Sequence, residues 1–337
     1  MAGSRGERQM SVQSTGRLGL ERISPIEKAT RGLARQSVLC ATDLSVLSQR
    51  AVGRAMYLAK KLDAQLTVLH VIAPVEHALD SLHAHDRIAS QISAVGMATR
   101  REPEIRVRTG NYVQVIAAVA RETDADIIVL GAQRPRSLAP LAGTSAERIT
   151  ALAGRPSLTV NREPGERYDD VVIAAELSDA FVQVVRVASS LRFLDAERVS
   201  VVHGFRFPRG PLFAFDARAA SRNLEAWEAA AKARVRQRLD VAGVESSRFR
   251  IMFHQALPIR AIQRVMRSVE AGLLIVGTKD RSMLNRTIRG SLTNDALRNL
   301  ECDILVAVPK VESITGAVNQ DKDSRKIDSK PRELTLS

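Results

Sequence analysis

Cysteine is almost missing from this chain of 337 residues, which holds only Cys40 and Cys302. Two thiols cannot build a disulfide framework, and their distance in sequence excludes a zinc site of paired thiolates. Each lies beside an apolar run that reads as a buried strand, so both read as small core residues, as suits a reducing cytoplasm. Aromatic residues are scarce at 4%, with a single tryptophan, so there is little to stack on nucleic-acid bases. Long apolar runs are missing too: none approaches the roughly 18 residues that a membrane span requires. The N-terminal MAGSRGERQMSVQSTGRLGL carries charge and serine but no apolar core of a secretory signal. A cytoplasmic protein without a membrane partner is expected. No Ser-His-Asp order, lysine-bearing P-loop or carboxylate pair beside a nucleophile stands out, so nothing supports a dedicated hydrolase or transferase.

What is present is apolar content of 45%, enough to fill two cores of ordinary size, and a formal net charge of +13. Such a charge invites nucleic acid. The arginines are scattered, however, and read as solvated helix faces; nucleic-acid binding is not expected as the main role. Residues 1–34 and 310–337 are polar and without sustained periodicity, and are expected to be disordered tails. Between them strand-like runs alternate with helical stripes, the pattern of a parallel sheet with crossover helices.

In the first half Ser37–Thr42 is an apolar run. A helix follows from Ser45, its N-cap, with Val52, Ala55, Met56, Ala59 and Leu62 on one stripe. Strands at 65–72, 104–108, 127–130 and 156–160 alternate with helices near 78–97, 112–122 and 144–152. The second half repeats the order. Asp170–Ala175 is its first strand and Ser178 its expected N-cap, with Phe181, Val184, Val185, Ala188 and Leu191 as the stripe. A strand at 198–202, a longer helix near 216–241, and strands at 249–253, 273–276 and 304–308 follow, with helices from Ile259 and Ser291 between them.

The repetition holds residue by residue. Asp43-Leu44-Ser45 answers Glu176-Leu177-Ser178 and His70 answers His203, both 133 positions on; Ile116 answers Ile262 and Gly131 answers Gly277, both 146 positions on. Constant offsets on either side of one insertion identify an internal duplication. The expected modules are 35–161 and 168–309, joined by 162–167, whose proline, glycine and charge read as a linker. Each module should be a five-stranded parallel sheet with helices on both faces, an α/β Rossmann-like fold. The last strands, 156–160 and 304–308, would be edges, and pairing the copies across them would cover both.

Ligands of such sheets bind beyond the carboxyl ends of the strands, where strand order reverses. There the first copy has Gly131-Ala-Gln-Arg134 and, eight residues on, Gly143-Thr144; the second has Gly277-Thr-Lys-Asp280 and, nine residues on, Gly290-Ser291. Glycine lets backbone N–H groups approach a phosphate, and a hydroxyl at a helix start adds a donor. The same residues equally suit strand ends and helix caps, and one copy alone does not separate the two readings. His77, Asp80, His83, His85 and Asp86 crowd together but lack a clean i, i+4 metal pair, so a solvated helix start is expected. His70 and His203 read as packed neutral imidazoles rather than bases. Trp227, with Leu224 and Ala231 on one stripe, reads as core or domain-interface packing.

The run VLCATDLSVLSQRAVGRAMYLAKKLDAQLTVLHVI, with its aspartate after the first strand and alanine-rich first helix, resembles the opening of a universal stress protein domain. The spaced glycines and the hydroxyl after the second of them resemble its close, and the likeness spans about 36–161 and 168–309. The resemblance implies an adenine nucleotide alpha hydrolase-like fold and a tandem chain whose two domains form an intramolecular pseudo-dimer, with a further homodimer or protein partner as an additional expectation. It implies ATP or AMP, with or without magnesium, as the ligand. Asp43 and Val71 would border adenosine, Gly131, Gly143 and Thr144 would hold phosphates with Arg134 nearby, and Gly277, Gly290, Ser291 and Thr293 match the same pattern in the second copy. Arg134 and Asp280 stand where the family has a second glycine; a side chain there narrows the backbone approach, and Asp280 repels phosphate. Glu176 and Gly204 replace Asp43 and Val71. The expected function is therefore a stress-response protein with weak or vestigial nucleotide binding, acting through conformation or partner contacts, and at most slowly hydrolysing ATP. The alternative is a scaffold whose pockets have closed. A related adenine-binding enzyme such as an ATP pyrophosphatase would carry a Ser-Gly-Gly-x-Asp type loop, which Ala41-Thr42-Asp43-Leu44-Ser45 is not.

Overall fold

The computed structural model describes residues 36–74, 79–132, 144–163, 167–206, 217–277 and 292–308. The first copy contributes strands β1 (Ser37–Thr42), β2 (Gln65–Ile72), β3 (Glu104–Thr109), β4 (Ile127–Gly131) and β5 (Ser157–Val160). Helices α1 (Val46–Leu62), α2 (Leu79–Ala94), α3 (Tyr112–Glu122) and α4 (Ser145–Ala153) lie between them. The second copy repeats this with β6 (Asp170–Ala174), α5 (Ala180–Ser190), β7 (Arg198–Phe205), α6 (Ala217–Val241) and β8 (Phe249–Gln255). It ends with α7 (Pro258–Ser268), β9 (Leu273–Gly277), α8 (Leu292–Asn299) and β10 (Asp303–Ala307). Even local strain is duplicated: Asp124 and Glu270, 146 positions apart, both take the left-handed conformation, at φ 47° and 49°.

All ten strands form one sheet, in the order β3-β2-β1-β4-β5-β10-β9-β6-β7-β8. Pairing within each copy is parallel, while β5 and β10 meet antiparallel, with Leu158 opposite Leu305. The edge strands of the copies thus cover each other, as their sequences lead one to expect. Because that junction is antiparallel, the carboxyl ends of the first copy's strands and those of the second point to opposite ends of the sheet.

One apolar core runs through both copies on the face carrying α1 and α5: Val38, Ala55, Leu158 and Val160 join Ile173, Val185, Leu305 and Ala307. The other face has a separate core for each copy, around Ile116 and Ile149 and around Ile262 and Val306. Alternating residues of the parallel strands serve the two faces, which is why the strands read as continuous apolar runs. Cys40 and Cys302 are buried, and burial pushes both thiols up to about 12.

The junction also buries charge. Arg54, on α1 and 2% exposed, approaches Asp303, which is fully buried at the start of β10. Asp303 Oδ1 accepts the N–H groups of Asn161 and Arg162, and Oδ2 accepts the Tyr168 hydroxyl. The Arg54 guanidinium sits 4.2 Å from the centre of the Tyr168 ring. This one carboxylate therefore fixes both ends of the connection between the copies. Its counterpart in the first copy is Pro156, and the counterpart of Arg54 is Val187, so the network exists once.

Two local expectations are corrected. Ser178 is not the N-cap of α5: the helix begins after Asp179, which has helical backbone angles and makes no side-chain cap. Leu44 takes φ 62° and turns the chain so that Ser45 can cap α1, whereas Leu177 does not adopt that conformation. The Ser178 carbonyl instead accepts from Phe181 N–H and from Arg238 on α6. The second strand of the second copy also continues past Val202 to Phe205, extended by ladder pairing with β8.

Candidate functional site

Strand order reverses between β1 and β4, where α1 leaves one strand and α4 leaves the other. Asp43, Val71, Gly131 and Thr144 all lie at this carboxyl edge of the first copy. Arg134 and Gly143 fall outside the described residues.

The loop after β1 is tightly knit. Thr42 Oγ1 accepts Leu44 N–H and donates to Gln91 Oε1 of α2, and Gln91 in turn donates to Ser45 O. Ser45 caps α1 by accepting Ser48 N–H. Ser45 N–H is donated to Asp43 Oδ1 at 3.0 Å. Burial alone would raise the Asp43 carboxyl, but hydrogen bonds from Ser45 and Ser48 outweigh it and hold the group below the ordinary carboxylate value. Asp43 is thus an ionised, exposed acceptor at the carboxyl edge of the first copy's sheet. His70 Nδ1 donates to Thr42 O at 2.8 Å, and His203 Nδ1 does the same to Ala175 O. Both imidazoles tie a second strand to a first, a structural part.

The glycine and the hydroxyl of the closing segment have local duties. A side chain at Gly131 would bring its Cβ within 3.1 Å of Ser48 Cα, so glycine here lets α1 cross the strand end closely. Thr144 caps α4 in a reciprocal box: its Oγ1 accepts Glu147 N–H, and Glu147 Oε2 accepts Thr144 N–H at 3.0 Å. Glu147 is 4% exposed, so a carboxylate already neutralises the helix end to which a phosphate would be drawn.

Two further residues at this edge escape sequence reasoning. Val46, at the first position of α1, is 82% exposed, and Tyr112, at the start of α3, is 39% exposed. Tyr112 spans to Ser145 Oγ at the start of α4, 2.6 Å away. Exposed apolar surface at this edge could meet a flat ring. Only the duplication draws attention to them, because their counterparts are Asp179 and Pro258.

The second copy has a different edge. Of its expected residues, Gly277 and Thr293 are described, while Gly290, Ser291 and Asp280 lie outside. A Cβ at Gly277 would meet Val184 at 2.6 Å, and Thr293 Oγ1 donates to Gly277 O. At Gly204, the counterpart of Val71, a Cβ would meet Pro258 Cα at 2.6 Å. Glycine and proline together let α7 close onto β7. Beside them Trp227 of α6 packs on Phe205, with ring centres 4.4 Å apart, and meets Phe253 edge-on. The tryptophan is thus packing within the second copy, not across the junction. His83, His85 and Asp86 point to solvent, His77 lies outside the described residues, and no metal-holding group occurs among those described.

The fold is a mostly parallel α/β sheet built twice, with the residues expected to form a site at the carboxyl edge of its first copy. The family model for the universal stress protein family matches residues 34–161 and again 167–308, and the chain belongs to that family. Its two matches make it a tandem member, with the copies joined as an intramolecular pseudo-dimer. A universal stress protein from Archaeoglobus fulgidus DSM 4304 matches over 81% of this chain and 98% of its own, at 15% identity and a TM-score of 0.56. A protein of unknown function from Pseudomonas aeruginosa PAO1 matches over 82% and 94%, at 16% identity and 0.57. Identities this low establish the shared fold. No curated protein matches. No helix among the described residues is long and apolar enough to cross a membrane.

Proposed function

We propose that this universal stress protein binds an adenine nucleotide weakly, in the first copy, and acts through conformation or partner contacts rather than turnover. The modules are residues 35–161 and 168–309, linked by 162–167. The observation that carries the reading is the contrast between the two carboxyl edges. The first keeps an ionised Asp43 with exposed Val46 and Tyr112 beside Val71. The second has Glu176, Asp179, Pro258 and Gly204 at those positions, with α7 drawn onto the strand. Asp43 would accept ribose hydroxyls and the apolar pair would contact the base.

The adenosine half of a nucleotide fits this edge better than its phosphates do, because Glu147 holds the start of α4. AMP is therefore expected to bind about as well as ATP, and magnesium to matter little. Isothermal titration with AMP and ATP, with and without magnesium, tests this. Asp43→Ala should weaken AMP at least about tenfold, close to 1.4 kcal/mol. No heat at millimolar nucleotide would refute the reading.

A second reading, a scaffold with closed pockets and no nucleotide, is favoured by that same Glu147 box and by the packing duty of Gly131. A nucleotide released from the denatured purified protein would eliminate it.

A further inference from the structure

The amino end of the second copy's sheet, opposite its family-type crevice, opens into a cleft of about 770 Å³. Its wall is the face of β7 and β8 away from the shared core. Ser200 pairs with Arg250 across the ladder, and Arg198 at the start of β7 and Arg248 in the turn before β8 line the same cleft, so it holds three guanidinium groups and a hydroxyl from these two strands and that turn. The linker adds Arg162 from the opposite side, against Gly272, whose missing side chain leaves the floor open to Arg162 and Tyr168.

Six arginines and five carboxylates line this cleft, but the ion pairs leave more of the arginines than of the carboxylates unmatched. Arg198 is spoken for by Asp170, and Arg167 by Asp169 and Glu197. Arg162, Arg248 and Arg250 have no carboxylate within ion-pair distance among the described residues, and of the cleft's acids only Glu270 is similarly unmatched. The Ser200 hydroxyl makes no hydrogen bond among them either.

The first copy supplies an internal control, because it carries the same surface with the opposite chemistry. The positions answering Arg248, Arg250, Ser268 and Gly272 are Glu102, Glu104, Glu122 and Asp126. There, Glu104 accepts from Thr67 and Arg106, Glu122 pairs with Arg106, and Asp126 accepts Ser37 N–H. Four carboxylates of one copy have become two arginines, a serine and a glycine in the other. A fold that needs neither version for its core has reversed the charge of this face in one copy only.

We infer that the cleft between Arg162 and the amino ends of β7, β8 and β9 is a binding site for a small phosphate-bearing polyanion. Guanidinium forks meet phosphate oxygens in pairs, and unpaired arginines on facing walls suit a ligand with more than one charged group. The site is distinct from the nucleotide crevice of the first copy and does not depend on it.

The test is titration of the full chain with pyrophosphate, inorganic phosphate and citrate at low ionic strength. The double variant Arg248→Glu/Arg250→Glu restores the charges that the first copy tolerates, and its melting curve should match that of the parent. Pyrophosphate should bind more tightly than phosphate, weaken as salt is added, and lose at least tenfold in the double variant and in Arg162→Ala, while Asp43→Ala leaves it unchanged. Citrate binding as tightly as pyrophosphate would show a site for any polyanion and overturn the phosphate assignment. Absence of binding at millimolar pyrophosphate, equal binding in a folded double variant, or loss on Asp43→Ala would overturn the site itself. A null result here leaves AMP binding to be judged by its own titration, so the two failures are separable.

Discussion

The two copies share a backbone plan and an apolar core, yet they differ at both edges of the sheet. Leu158 and Leu305 are opposite one another at the junction and equally buried, as are Val160 and Ala307 in the common core. At the carboxyl edge the same comparison sets Tyr112 against Pro258 and Val71 against Gly204. At the amino edge it sets glutamates against arginines. Duplication therefore preserved what the sheet needs and released the edges to diverge, which turns each copy into the reference for the other.

The largest effect that bears on this contrast is expected at the asymmetric ion network of the junction. Asp303→Ala removes the acceptor for two backbone N–H groups and a phenol, and leaves Arg54 buried without its carboxylate. Breaking one side of such a buried group costs about 3–5 kcal/mol, measurable by urea unfolding. A loss under about 1 kcal/mol would mean that the apolar core alone joins the copies.

Next is the alkaline limb. Burial first, then the Asp303 charge, raises the Tyr168 hydroxyl well above 10.0, with Arg54 opposing. The native state thus holds that proton more tightly than the unfolded chain does. The corresponding stability is complete below pH 10 and is lost as pH rises through the native value. Tyr168→Phe should cost about 1.5–3 kcal/mol at neutral pH and flatten the decline above pH 10. An unchanged alkaline limb in the variant would assign that decline to other groups.

A smaller effect separates the two readings of the first crevice. Glu147→Gln keeps an acceptor for the Thr144 N–H and removes the charge. ATP should then bind several-fold more tightly while AMP changes less. If both are unaffected, the start of α4 takes no part in binding.

Much of this was legible in the sequence because periodic patterns carry it. Stripes such as Val184, Val185 and Ala188 mark a helix face, and the offsets of 133 and 146 reveal the duplication. Edge pairing followed from the need to cover two apolar end strands. The ion network was not legible, since Arg54 sits beside the apolar stripe of α1 and meets its carboxylate in the second copy. Ser178 does not cap α5 as Ser45 caps α1, because Leu44 and Leu177, identical in sequence, take different backbone angles. The charge-reversed cleft required the strand register, which aligns Thr67 with Glu104 and Ser200 with Arg250.

Counting nucleotide sites tests the divergence of the two crevices most directly. Equilibrium dialysis of the full chain against labelled AMP should saturate at one molecule per chain, and Asp43→Ala should weaken that binding at least about tenfold while Glu176→Ala leaves it intact. Two equivalent sites per chain, or saturation that survives Asp43→Ala and fails in Glu176→Ala, would contradict it.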